Sequence, residues 1–365
     1  MPINSPYHTW FERIRQLQPN VRITQIRGLV WLILGMQQSR SVHLGRIASK
    51  VPGQAKLLST VRRLSRFLDN PAIRVRSWYE PVAGKLIAFQ IATLGEVRLI
   101  LDGTKVGAGH QLLILALAYR KRALPVTWTW VKSVKGHSSG IKQLALLGYI
   151  WRLIPPSTPV LVVGDSEFGN VEVLSQLEAW GWRYVMRQKP VYQVRLTEAG
   201  IWRHASELIS HPGQSIWLGQ GWLTAKHAYP VHLLLHWASG EDEPWFLASN
   251  LTSRQAALQA YRRRMWIEEM FGDFKKHGFD LETTQLRHFL RLSRLTLAAA
   301  LLYVWIVSFG ARIIKNGLRH LVDRKDRRDL SIFQIGLRMI DRCFINGFSV
   351  PVHLVPASVP KLSGS

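Results

Sequence analysis

Two short apolar runs that each lead into an acid constrain this chain more than any other feature. VRLIL at residues 97–101 runs directly into Asp102, and PVLVV at 159–163 runs through Gly164 into Asp165. Apolar runs of this length, bounded by turn signals, predict buried strands. In an open sheet the ends of neighbouring strands converge on one crevice, so both acids are expected to face a common site. Each acid alone reads as a turn signal. A third carboxylate is needed before the pair implies chemistry.

The surrounding pattern predicts an α/β fold. QLLILALAY at 111–119 and LPVTWTWVK at 124–132 read as two further strands in a meander. Helices are predicted over 140–153 and near 170–180, with a strand at 183–187. Between 190 and 250 strand-like sequence is punctuated by Gly200, Pro212-Gly213, Gly219, Gly221 and Gly240, which predicts a β-rich insertion. Helical spacing returns as one helix over 253–276 and another over 284–310. The apolar stretch at 295–309, bounded by Arg294 and Arg312, falls short of the ~20 residues a membrane span needs. It reads as a core helix, and the expectation is no membrane partner.

Charge narrows the class of partner. Lys and Arg number 48 against 23 Asp and Glu, a formal charge of +25. Such an excess favours a polyanion, nucleic acid first and an anionic membrane surface second. The first 95 residues carry fourteen basic side chains against Glu12, Asp69 and Glu80. Apolar residues there recur at helical spacing, and Pro52-Gly53 breaks the run over 42–68. Two short helices about such a turn suit a DNA-binding module, with Arg62, Arg63 and Arg66 placed to meet phosphates. A small helical bundle with a solvated basic face fits the same pattern. The single cysteine, Cys343, excludes an internal disulfide and a cysteine-based zinc cluster. The first twenty residues lack a secretory pattern, so a cytoplasmic location is expected.

The third carboxylate lies in YRRRMWIEEMFGDFK at 261–275. On a single helix, Tyr261, Arg264, Glu268 and Lys275 fall on one edge, beside an apolar stripe of Ile267, Met270, Phe271 and Phe274. Phosphodiester chemistry needs an activated water or hydroxyl and positive charge beside the phosphate. Divalent ions held by carboxylates supply both. Glu167, Glu269 and Asp273 are auxiliary candidates, with Glu269 about 100° round the helix from Glu268.

The spacing Tyr261, Arg264, Glu268, Lys275 resembles the Tyr-Arg-Glu-Lys signature of bacterial insertion-sequence DDE transposases of the fourth insertion-sequence family. The resemblance covers residues 97–310 well and the basic N-terminal segment more loosely. Thr104 matches the Asp-x-Thr setting of the first aspartate. DSEFG around Asp165 departs from the more common Asp-x-Gly-aromatic form.

The resemblance implies a ribonuclease H-like catalytic core with a β-rich insertion, preceded by a helical N-terminal DNA-binding region. The implied organisation is a basic helical region at 1–95, core segments at 96–189 and 251–310, the insertion at 190–250, and a C-terminal helical region and tail at 311–365. Asp102, Asp165 and Glu268 would bind two Mg2+ ions, with Mn2+ as a substitute. Tyr261, Arg264 and Lys275 would contact phosphate, and Trp245 would stack on an extruded base. The implied partners are double-stranded DNA (terminal inverted repeats and target) and a second copy in a synaptic complex at a bacterial nucleoid. The implied activity is cut-and-paste transposition, set against two rivals: a nuclease without strand transfer and a non-catalytic DNA-binding regulator.

Overall fold

The computed structural model describes residues 5–107, 109–132, 138–324 and 326–357. Five helices come first: α1 (Pro6–Leu17), α2 (Ile23–Ser39), α3 (Leu44–Ala48), α4 (Leu57–Asp69) and α5 (Val75–Leu94). Ser5 caps α1 by accepting from the His8 amide, and Gly95 ends α5 in the left-handed region at φ 70°. The chain then enters β1 (Val97–Val106), β2 (His110–Tyr119) and β3 (Arg122–Lys132), followed by α6 (Gly140–Trp151), β4 (Val160–Gly164), α7 (Val171–Ala179) and β5 (Arg183–Gln188). Next come β6 (Gln193–Arg195), β7 (Arg203–His204), β8 (Ser215–Leu223), β9 (Tyr229–His236) and β10 (Trp245–Ser249). Four helices complete the chain: α8 (Arg254–Arg262), α9 (Met265–Phe274), α10 (Phe289–Lys315) and α11 (Ile332–Ile345).

All ten strands join one sheet in the order β3-β2-β1-β4-β5-β10-β9-β8-β6-β7. Strand β1 is antiparallel to β2 and parallel to β4, and β4 is parallel to β5. Buried on both faces, β2 and β4 are apolar without alternation, as covered strands require. The strands after β5 extend the same sheet, because β10 returns to pair antiparallel with β5.

Helix α10 is apolar nearly all round because it is the central post of the helical layer, packing on α2, α4, α5, α11 and β3. By length and composition it is the one described helix that could cross a membrane, yet 89% of its apolar window is buried inside the protein. Trp10 of α1 meets Trp305 of α10 edge-on at 5.3 Å, so the N-terminal helices share a core with the C-terminal ones.

Two expected elements differ. The helix expected over 253–276 is broken at Arg263 and Arg264 into α8 and α9. The helix expected from residue 284 begins at Phe289, after a short 3-10 turn at Leu281–Thr283.

Candidate active site

Register brings the two aspartates together. In the parallel pair β1–β4, Leu101 lies opposite Gly164, so the next residues along each strand are Asp102 and Asp165. Neighbouring strands run ~5 Å apart, which sets the two acids side by side where the pairing ends. Asp102 is not at the end of its strand, contrary to the reading of VRLIL as a complete element. Strand β1 continues to Val106 against β2, with Asp102 opposite Ile114. Asp165 opens a turn that the Phe168 amide closes on its carbonyl.

Helix α9 packs against β1, β2 and β3 and delivers the third acid. Arg264, in the turn before it, donates from Nη1 to Asp102 Oδ2 at 2.8 Å and from Nη2 to Glu268 Oε1 at 2.6 Å. One guanidinium therefore links two of the three predicted acids. Tyr261 is buried with its ring 5.9 Å from the Arg264 guanidinium carbon, and Trp245 meets that ring edge-on at 5.0 Å.

Asp165 lies outside the Arg264 bridge. Its Oδ1 is buried without a hydrogen-bond partner, and Arg187 Nη1 lies 3.9 Å away. Arg187, at the end of β5, also pairs with Glu243 at 3.1 Å.

The electrostatics follow from burial. Asp102 is only 7% exposed, and burial pushes its carboxyl up to about 7. Arg264 and the Gly103 amide oppose the rise, while repulsion from Asp165 and Glu268 adds to it. Burial lowers the Arg264 pKa, but Asp102, Tyr261, Asp165 and Glu268 together hold it above the usual arginine value. Burial also raises the Tyr261 phenol well above the ordinary tyrosine value.

The remaining candidates lie elsewhere. Lys275 ends α9 with Nζ 2.9 Å from Glu282 Oε1, so its charge is engaged away from the acids. Glu167 accepts from Gln111 and from Ser138. Glu269 and Asp273 both pair with Arg122 of β3, each at 2.9 Å. Arg62, Arg63 and Arg66 are exposed on α4, a helix that packs on α2, α3 and α10. Sequence reasoning missed Arg187 and Arg122. A lone charge closing an apolar strand, as in YVMRQ, is the one signal that points to Arg187.

The donor set suits a hard divalent cation: carboxylate oxygens, one of them the Asp165 Oδ1 that accepts no hydrogen bond. Among the described residues no three His, Cys, Asp or Glu already stand as a ligand cluster. The positive charge between Asp102 and Glu268 is that of Arg264.

The chain belongs to the transposase DDE domain family, whose model matches residues 94–305. It is a DDE transposase, a DNA-binding enzyme of a family that uses divalent metal ions. Among solved structures, a piggyBac transposase in a synaptic complex with hairpin DNA, determined by cryo-electron microscopy, is similar at 9% identity. The match covers 98% of this chain and 86% of that one, with a TM-score of 0.43. No curated protein matches the chain.

Proposed function

We propose that this transposase moves an insertion sequence by a cut-and-paste route, with Asp102, Asp165 and Glu268 as its metal-binding carboxylates. The observation that carries the reading is the β1–β4 register, which sets Asp102 beside Asp165, together with the Arg264 bridge from Asp102 to Glu268. The strand order β3-β2-β1-β4-β5 supports a ribonuclease H-like core over 96–189 and 251–310, with the strands of 190–250 as its insertion. Residues 1–95 then act as the DNA-recognition region, and 311–365 as a C-terminal appendage.

A divalent cation held by these acids supplies charge beside the scissile phosphate and an acidified water; two Mg2+ ions, replaceable by Mn2+, are what the sequence resemblance implies. Arg264 offsets charge on the phosphate and Tyr261 positions it, while Lys275, the resemblance's third phosphate contact, would have to leave Glu282 to join them. Water breaks one P–O3′ bond at the element end, leaving a 3′ hydroxyl there and a 5′ phosphate on the flank. That hydroxyl attacks the opposite strand, forming a hairpin and expelling the flanking 3′ hydroxyl. Hydrolysis of the hairpin restores the 3′ hydroxyl, which attacks a target phosphodiester, joining element to target and expelling a target 3′ hydroxyl. Trp245, beside Tyr261, takes the base extruded at the hairpin tip. Arg62, Arg63 and Arg66 grip the inverted repeat, and two copies join two ends at the bacterial nucleoid.

The test is cleavage and strand joining on a plasmid carrying the element ends, with Mg2+ or with chelator. The wild type should cut and join only with the cation. Asp102→Asn, Asp165→Asn and Glu268→Gln should each lower both steps by ~10³-fold or more while leaving DNA binding intact. Cutting without joining would favour a plain nuclease. Full activity in any of the three variants would remove that residue from the site.

A further inference from the structure

A cleft of about 1000 Å3 opens between the β2–β3 hairpin, the first turn of α9 and the segment joining α10 to α11. Its lining is strongly cationic. Lys121 projects from the hairpin tip, Lys315 from the end of α10, and Arg324 and Arg328 from the segment before α11. None of these four has an ion-pair partner among the described residues. The two acids in the lining are already taken: Glu269 pairs with Arg122 at 2.9 Å, and Asp329 with Arg327 at 2.6 Å. Four cations without ion-pair partners thus converge where the lining's acids are engaged by other arginines, an arrangement unfavourable in the free protein.

The hairpin tip gives an independent sign. Tyr119 pairs with Arg122, leaving a two-residue turn in which Arg120 and Lys121 both take left-handed backbone, at φ 45° and 60°. Asn-Gly adopts that turn without strain, whereas long cationic side chains adopt it at a cost. Strain kept at an exposed tip points to a role for the side chains it displays. Trp266, half-buried in the same lining, adds a flat apolar surface.

We infer that this cleft is a second DNA-binding surface, a track for one phosphate backbone of duplex DNA bordered by α9, the helix that carries Glu268. Duplex DNA is the occupant that the family supplies and that the lining complements, because regularly spaced phosphates match cations set on the hairpin, the end of α10 and the segment before α11. The track is tied to the acidic site through α9. Arg122, on the cleft wall, holds Glu269 and Asp273 of the helix that carries Glu268. The inference rests on the proposed function only in taking DNA as the substrate.

The test uses the full-length protein and a labelled duplex, with affinity measured across a salt series. Lys121→Gln, Lys315→Gln and Arg328→Gln are combined, one from the hairpin, one from the end of α10 and one from the segment before α11. An equal reduction of charge on exposed positions elsewhere, Lys85→Gln, Arg152→Gln and Lys226→Gln combined, is the control. Each phosphate that is no longer neutralised takes about 0.9 from the slope of log affinity against log salt. The cleft triple should therefore flatten the slope by about 2.7 and weaken binding at least ~10-fold near 0.1 M salt. The control should keep the wild-type slope. Equal effects of the two triples, or a wild-type slope in the cleft triple, overturn the inference. So does a cleft triple that binds DNA normally but loses phosphatidylserine vesicles, or one that changes only the association state of the free protein. If the wild type binds no DNA at all, the proposed function falls as well. If the wild type binds and cuts DNA while the cleft triple binds equally well, only the cleft assignment falls.

Discussion

Arg264 donates from Nη1 to Oδ2 of Asp102 across 2.8 Å, fastening the turn between α8 and α9 to the centre of the sheet. Both side chains are nearly out of solvent, at 10% and 11% exposure. A buried pair of this kind adds little net stability compared with apolar packing, but removing one member leaves the other charge stranded. Arg264→Met should therefore cost about 2 to 3 kcal/mol in urea unfolding, and Asp102→Asn in the same background should recover part of that loss. Strictly additive losses would show that the two side chains do not act as a pair.

If Asp102 and Glu268 bind the cation as proposed, it must compete with the Arg264 guanidinium, which holds both acids. Mg2+ or Mn2+ at ~100 times its dissociation constant should stabilise the wild type by about 2.7 kcal/mol, read as a rise in Tm. Asp102→Asn and Asp165→Asn should lose that rise, and Ca2+-free buffer with Na+ at equal ionic strength should not reproduce it. An undiminished rise in both variants would place the cation elsewhere.

Asp273 gives a separate pH signature. Burial pushes its carboxyl up to about 7, against the pull of Arg122, with repulsion from Glu269 adding to the rise. A folded-state value above the unfolded one means the folded protein holds the proton more tightly. The resulting stabilisation is full below the unfolded value near 4 and is lost as pH climbs through about 7. Between pH 5 and pH 8 the wild type should lose about 2 kcal/mol relative to Asp273→Asn. Parallel stability curves for the two proteins would contradict this assignment.

How far the sequence could be read depended on range. Periodicity made β1, β4 and α10 legible, because burial imposes an apolar run on a covered strand and an all-round apolar surface on a central helix. The break at Arg264 was invisible: neither Gly nor Pro marks it, and both turn residues keep right-handed backbone. The break lets Arg264 reach β1 as well as Glu268, a consequence of tertiary packing. The partnerships of Arg122 and Arg187 were equally hidden, since they depend on strand order and on which helix crosses which strand. Similarly, nothing local signalled that the strands of 190–250 would extend the main sheet through β10.

A tight helix crossing in the core yields the last prediction. Gly310 of α10 faces the backbone of α11 at Ile332, and Gly336 of α11 faces the backbone of α10 at Ile306. A Cβ at either position would drive into a carbonyl oxygen of the opposite helix, and no rotamer change relieves a clash with backbone. Gly310→Ala or Gly336→Ala should force the helices apart and cost about 2 kcal/mol, with the loss seen in thermal or urea unfolding. Gly84, inside α5 with nothing near its Cβ direction, is the internal control. Gly84→Ala should instead stabilise by about 0.5 to 1 kcal/mol, because alanine restricts the unfolded chain and suits a helix interior. Because α11 lines the cleft through Ile332, parting the helices should also weaken DNA binding, whereas Gly84→Ala should leave it unchanged. Tolerance of alanine at both crossing positions would mean that α10 and α11 pack less closely than their glycines allow.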